Sequence, residues 1–171
     1  MNKYAKILVF TAFLALTAMG YIFLVNSDEP EDKALYQWIT SETGYTYYKN
    51  DSAIIPTSEE TERAHDNFMR IRLNKKVLSV LDSNRRLPKG KSFPDSSILI
   101  KEIYSDKNNF SPDILAVMVK LKGDKYSGKD WLWAEYTPKG ETEYSVTNKG
   151  KVCIKCHQSG DDYVRIFDIL K

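Results

Sequence analysis

The sequence contains very few residues able to form cross-links or bind transition metals: two cysteines and two histidines among 171 residues. A disulfide-stapled secreted domain is excluded, because Cys153 and Cys156 lie in one short motif and no third cysteine is present. A zinc site with four nitrogen or sulfur ligands is disfavoured, since His65 is the only such residue outside this motif. The domain must therefore be held together mainly by a hydrophobic core.

The sequence also lacks an excess of charge beyond its N-terminus. The formal net charge is +2, and Lys3 and Lys6 account for all of it, so the rest of the chain is neutral overall. A neutral domain has no broad electrostatic attraction for polyanions. We therefore expect no nucleic acid among its partners.

One long apolar run is present, from Ile7 to Val25, and its nineteen residues carry no charge. About 20 apolar residues cross the hydrocarbon core of a bilayer. Lysines precede the run and acidic residues follow it, which predicts a cytoplasmic N-terminus and an exported domain. We favour a membrane anchor over residues 1–26, because the run continues past Ala18 and Gly20. The alternative is a signal peptide cleaved at these small residues, which would release a soluble periplasmic protein.

Both cysteines lie in the segment GKVCIKCHQSG, in which C-x-x-C is followed at once by His157. This spacing is typical of covalent haem c attachment. Each thiol adds across one haem vinyl group, and the adjacent imidazole becomes an axial ligand of the iron. A redox disulfide is the alternative, but that motif is expected near the start of a βαβ unit rather than near the C-terminus. We predict one haem c, with Cys153 and Cys156 as thioethers and His157 as the metal ligand.

Hydrophobic periodicity predicts an α+β domain over residues 34–171, joined to the N-terminal segment by a tether at 27–33. A strand is expected at 68–73, with Asn74 capping a short helix. Three closely spaced strands beginning near 96, 113 and 131 predict an antiparallel meander. Helices are expected near 35–43, 57–64 and 161–170. The expected architecture is an antiparallel β-sheet with flanking helices and a C-terminal haem site, preceded by one transmembrane helix.

A sixth iron ligand is not evident in the sequence, because neither methionine nor histidine follows His157. Upstream, Met69 and Met118 alternate with aliphatic residues in strands, and core packing explains them better. His65 lies among charged residues and is expected to be a solvated surface side chain. We therefore expect an open distal position on the iron.

Three segments in this order resemble the cytochrome P-460 family, which includes the cytochromes c′-beta: FPDSSILIKEIYS, DWLWAEYTPKG and KVCIKCHQSGDDYV. The resemblance extends over residues 68–171. It implies a sheet-rich fold with one haem, a proximal histidine from the motif and a vacant distal face. Two departures are visible: Ser96 stands where the family's turn usually has glycine, and the tail after Val164 is less aromatic than the family's.

The resemblance implies one of two chemistries. In the P-460 type a lysine is cross-linked to the porphyrin edge and the enzyme oxidises hydroxylamine; in the c′-beta type this bond is absent and the haem binds gases such as nitric oxide. Lys101 matches the lysine concerned, so it is a candidate catalytic and haem-binding residue. Electron transfer is a third hypothesis. The expected partners are a small nitrogen-containing ligand or gas, a periplasmic electron acceptor and the inner membrane through residues 7–25, and a homodimer is left open.

Lys101 lies between Leu99 and Ile103 on one face of its predicted strand. A partly buried amine there would have a lowered pKa; the alternative is a lysine that reaches solvent at a strand edge. Glu102 is expected on the opposite face. Glu135 is not assigned to a face, so the sequence identifies no proton acceptor for the site.

Two further pairs of residues each have two interpretations. Arg70 and Arg72 either bind haem propionates or form the solvent face of a strand, and we favour the solvent face. Trp131 and Trp133 share one strand face, where they either line the haem cavity or pack in the core away from it.

Overall fold

The computed structural model describes residues 29–57, 65 and 68–166, and its main element is an antiparallel sheet in the order β1-β3-β4-β5-β6-β7. Strands β1 and β2 share the outer edge of β3, and β3 to β6 form the predicted meander. The α+β prediction is confirmed. The strands are β1 (Thr46–Tyr47), β2 (Ile55–Pro56), β3 (Phe68–Leu73), β4 (Ile98–Tyr104), β5 (Ile114–Lys120), β6 (Trp131–Tyr136) and β7 (Thr142–Tyr144), and the helices are α1 (Pro30–Ser41), α2 (Lys75–Leu78) and α3 (Cys153–His157).

Side chains on the central strands alternate between the two faces of the sheet, and each face has its own apolar cluster. One face packs against α1 through Leu35 and Ile39, which meet Ile100 and Val117. The opposite face borders the C-terminal segment that contains α3. Both faces of the sheet are covered, which accounts for the nearly continuous apolar sequence of the central strands. The haem motif lies against one of these faces.

Helix α1 begins within the segment predicted to be a tether. Pro30 occupies the first turn, where its fixed φ and missing N–H are tolerated, so residues 30–33 are helical and the tether prediction is wrong there. Asp32 is buried, and its carboxylate accepts a hydrogen bond of 2.7 Å from the N–H of Val146. Helix α1 is thus attached to the loop that follows β7.

Strand β3 has the predicted alternation, with Met69 and Ile71 buried on the face opposite Arg70 and Arg72. Both arginines form ion pairs with the buried carboxylate of Glu102 on β4. The two arginines are half-buried around Glu102, so the prediction that they form the solvent face of the strand is wrong.

The start of the short helix α2 and the turn before β4 each depend on one residue. Asn74 caps α2 by accepting a hydrogen bond of 3.2 Å from the N–H of Val77, as predicted. Ser96 has a left-handed backbone, with φ of 68°, which explains why glycine is the more usual residue at this turn. Its N–H donates to the Lys120 carbonyl at 2.8 Å, which sets the register of β4 against β5.

The predicted C-terminal helix is wrong over Asp161–Arg165, where the chain forms a turn closed by a bridge between Asp161 and Val164. Its remaining residues from 167, the predicted anchor at 1–26 and the predicted helical turn at 58–64 lie outside the described residues. No helix in the described part of the chain has the length and apolar character to cross a membrane.

Candidate haem site

A cavity of about 400 Å³ lies between the sheet and the C-terminal segment. Its floor includes one cross-strand row, in which Ile71, Lys101, Ala116, Glu135 and Tyr144 are successive partners from β3 to β7. Sheet register alone brings these five residues together, since they are far apart in the chain. The floor therefore combines an amine and a carboxylate with apolar surface.

The predicted haem residues lie on the wall opposite this floor. Cys153, Cys156 and His157 all line the cavity from the single turn of α3. Gly150 precedes the helix with φ of 65°, and a Cβ atom at this position would overlap the indole of Trp133. The glycine thus allows the motif to approach β6 closely, which brings both cysteines and the histidine to one cavity.

The ring of His157 is fixed by two contacts. Its Nδ1 lies 2.9 Å from the carbonyl oxygen of Tyr163, and its ring meets that of Trp133 edge-on with 5.0 Å between centroids. Burial lowers the pKa of His157, although the Tyr163 carbonyl opposes this shift. A neutral imidazole whose Nδ1–H donates to a carbonyl carries its lone pair on Nε2, the form that ligates a metal.

The Cys153 thiol is also influenced by its surroundings. Burial raises its pKa to about 11, and the charge of Glu135 contributes to this shift. The thiol is therefore protonated at neutral pH, unlike the low-pKa thiolates of redox disulfide motifs. This state disfavours the disulfide alternative.

Lys101 and Glu135 have opposite pKa shifts in the cavity. Burial lowers the pKa of the Lys101 amine to about 8, and the charge of Glu135 offsets part of this effect. Burial also raises the pKa of Glu135, as does neighbouring Glu143, whereas Lys101 opposes the rise. Each pKa is therefore shifted toward neutrality, and a catalytic acid or base is most effective when its pKa lies near the working pH.

The sequence model of the cytochrome P460 family matches residues 45–167, most of the chain. The chain belongs to the cytochrome P460 family. Members of this family bind haem c covalently and are typically periplasmic. A search of curated proteins finds no match to this chain.

The cavity of this cytochrome P460 family member has the properties that haem c requires. Two thiols and an imidazole with Nε2 available line one wall. The volume of the cavity falls within the range of about 300–1,000 Å³ that is typical of small-molecule and cofactor pockets. The rest of the lining is largely apolar, including Leu99, Met118 and Val164. When bound, haem c would supply an iron able to take a small ligand and exchange electrons.

His65 is the residue that sequence reasoning placed wrongly. It lines the cavity instead of the surface, and its Nδ1 lies 3.9 Å from Oε1 of Glu135. Burial, and then the charges of Lys101 and His157, lower its pKa to about 3, so the ring is neutral at physiological pH. No periodic pattern surrounds His65 in the sequence, and hence no signal indicated this position.

The remaining predicted residues divide between the cavity and the core. Trp133 lines the cavity, whereas Trp131 is buried in the same apolar cluster but is absent from the cavity lining. Met69 and Met118 are buried in that cluster as predicted, and they also contact the cavity. Tyr144 is a cavity residue that the sequence analysis did not identify, and its position on β7 follows from pairing with Glu135.

Proposed function

We propose that this protein is an exported mono-haem c cytochrome that oxidises hydroxylamine or a related small nitrogen compound. Cys153 and Cys156 would form the thioethers, and His157 would bind the iron through Nε2. The observation that carries the proposal is the position of Lys101 and Glu135 in one cavity with this motif. The amine could bond to the porphyrin edge, and the carboxylate could accept protons from the substrate. A pocket that only binds gas requires neither function.

Lys101 is proposed to bond to the porphyrin edge. Replacing one porphyrin C–H and one amine N–H by a C–N bond releases two protons and two electrons, so an oxidant such as oxygen or a peroxide must take up the electrons. The amine reacts through its lone pair, which requires the unprotonated form. A pKa near 8 leaves a useful fraction of Lys101 in this form at neutral pH.

Glu135 is proposed to accept protons from the substrate. Oxidation of one hydroxylamine to nitric oxide releases three protons with three electrons, so a proton acceptor beside the bound substrate assists the reaction. A periplasmic acceptor protein is proposed to receive the electrons. The Glu135 carboxylate lies in the cavity lining, and its raised pKa makes it a better base than a solvated glutamate.

Gas binding without turnover is the second proposal, and the apolar part of the floor supports it. Ile71, Leu99 and Met118 offer a small diatomic ligand a dry surface. Electron transfer is the third proposal and the weakest, because a carrier works best when both axial positions of the iron are filled. Neither alternative requires Lys101 and Glu135 in the cavity.

Mass spectrometry of tryptic peptides tests the enzymatic proposal. We expect the Cys153–His157 haem peptide to be joined to the peptide containing Lys101, together with a red-shifted ferrous Soret band. Lys101→Ala should abolish both, and Lys101→Arg should do the same because a guanidinium keeps the charge without an available lone pair. The purified protein should also reduce an artificial electron acceptor when hydroxylamine is added. A haem peptide that elutes alone, with no hydroxylamine-dependent reduction, would give gas binding first place.

A further inference from the structure

The carbonyl that contacts His157 belongs to an unusual turn. Asp162 and Tyr163, the two central residues between Asp161 and Val164, both have positive φ, at 46° and 67°. The N–H of Val164 closes the turn by donating to the Asp161 carbonyl at 2.9 Å. Two consecutive left-handed residues are normally asparagine, aspartate or glycine, so a tyrosine in the second position is unfavourable. Contacts from the surrounding structure must hold this turn in place.

Those contacts converge on Asp162. Its Oδ1 pairs with Nζ of Lys120 at 2.8 Å, and its Oδ2 accepts the N–H of Phe93 at 2.8 Å. Its backbone carbonyl accepts Nε1–H of Trp131 at 2.9 Å. Lys120 is only 2% exposed, and its Nζ lies 5.0 Å from the centre of the Trp131 ring. One residue of the turn is therefore attached to β5, to β6 and to the loop before β4.

A buried ion pair is weak evidence for stability, because apolar residues of similar volume often stabilise a fold equally well. The Lys120–Asp162 pair instead fixes the position of the turn that contains Tyr163. It holds the residue next to Tyr163, whose carbonyl is the hydrogen-bond acceptor of the His157 ring. A carbonyl that accepts a hydrogen bond from the other ring nitrogen of a metal-bound imidazole fixes the ring and raises its basicity.

We propose that Lys120 and Asp162 are positioning residues for the proximal histidine, which tune its donor strength toward the haem iron by fixing the Tyr163 carbonyl. The inference rests on the proposed assignment of His157 as the axial ligand. The pair acts through the turn and through Tyr163, without contact with the iron.

Two variants and one control test this inference in the full-length haem-loaded protein. Asp162→Ala removes the side-chain contacts of the turn, and Lys120→Met/Asp162→Asn removes both buried charges while preserving volume. The double variant serves if Asp162→Ala does not fold. Asp32→Asn is the control, because Asp32 is also buried and hydrogen-bonded but lies on α1, which packs against the other face of the sheet.

The measurements are covalent haem content, the iron–histidine stretching frequency of the ferrous protein by resonance Raman spectroscopy, and the midpoint potential. With a looser Tyr163 carbonyl, His157 donates less electron density, so we expect a lower stretching frequency and a higher potential in both variants. Asp32→Asn should lower the thermal midpoint without moving either spectroscopic value.

The outcomes separate this inference from the assignment on which it rests. Full covalent haem with an unchanged potential in the folded variants would overturn the positioning role and leave the haem site intact. If the ferrous iron has six ligands and shows no iron–histidine band, the midpoint potential alone tests the positioning role. Retention of the wild-type axial-ligand spectrum in His157→Ala would overturn the ligand assignment itself.

Discussion

Lys101 and Glu135 occupy the same cross-strand row on either side of Ala116. Adjacent strands are about 4.8 Å apart, so the two backbones are separated by roughly 10 Å across β5. The small side chain of Ala116 leaves space above it, and the longer lysine and glutamate side chains extend over the cavity from either side. Their pKa values shift toward each other for the same reason, burial of a charged group.

Glu135→Gln should lower hydroxylamine turnover by about 10²–10⁴-fold, since an amide cannot accept a proton. The wild-type rate requires the carboxylate, so it should fall as pH drops through the raised pKa of Glu135. The variant should lose this acidic limb of the pH profile. Stopped-flow or steady-state rates between pH 5 and 9 provide the measurement.

Glu143→Gln is the matched control for Glu135. Glu143 is exposed on β7, and its negative charge raises the pKa of Glu135. Its removal should move the acidic limb to lower pH and leave the plateau rate unchanged. An acidic limb that survives in Glu135→Gln would show that another group accepts the proton.

Removal of both motif cysteines should eliminate covalent haem. Cys153 and Cys156 both line the cavity, and the sequence contains no other cysteine. Protein carrying Cys153→Ala/Cys156→Ala, expressed with the haem-attachment machinery, should lose all haem on extraction with acidified acetone. Cys153→Ala alone should retain one thioether. Haem that stays bound to the double variant would contradict the attachment site.

The sequence predicted the faces of the strands better than the contacts between strands. Alternation correctly separated Lys101 from Glu102, because side-chain direction in a strand has a period of two residues. The same rule places Glu135 on the face of Trp131 and Trp133, a step that the sequence analysis did not take. Register is different, because the row that joins Lys101 to Glu135 depends on hydrogen bonds between distant segments.

The wrong predictions for the C-terminal helix and for His65 both arise from tertiary contacts. An apolar pattern after Asp161 predicted a helix, but Asp162 and Tyr163 adopt left-handed backbones that a helix does not allow. Contacts from Lys120 and Trp131 hold this conformation, and neither contact leaves a pattern in the sequence near the turn. His65 was misplaced for a similar reason, since its burial results from tertiary packing.

The N-terminal segment should keep the protein on the outer side of the inner membrane. Its nineteen-residue uncharged run, with lysines before it and acidic residues after it, motivates this prediction. Fractionation of cells that express the full chain should recover it with membranes until detergent is added. A chain lacking residues 1–26, exported by a cleavable signal peptide, is the control and should be soluble. Soluble periplasmic protein with an N-terminus near Tyr21, recovered from cells that express the full chain, would support cleavage instead.

The ferrous haem should be five-coordinate and high-spin, and it should bind nitric oxide or carbon monoxide. Met69 and Met118 contact the cavity but pack in the apolar cluster of the sheet, so His65 is the strongest competing ligand among the described residues. Its Nδ1 faces Glu135 at 3.9 Å, and its pKa of about 3 leaves the ring neutral and chemically able to bind iron.

His65→Ala therefore decides the coordination state. We expect the ferrous absorption spectrum to be high-spin in the wild type and to remain so in this variant, because His157 is the one protein ligand proposed for the iron. Met118→Leu, which conserves apolar volume in the floor, is the control and should also leave the spin state unchanged. A low-spin ferrous spectrum that only His65→Ala converts to high spin would establish His65 as the sixth ligand. That result would favour electron transfer, since both axial positions would then be filled by the chain itself.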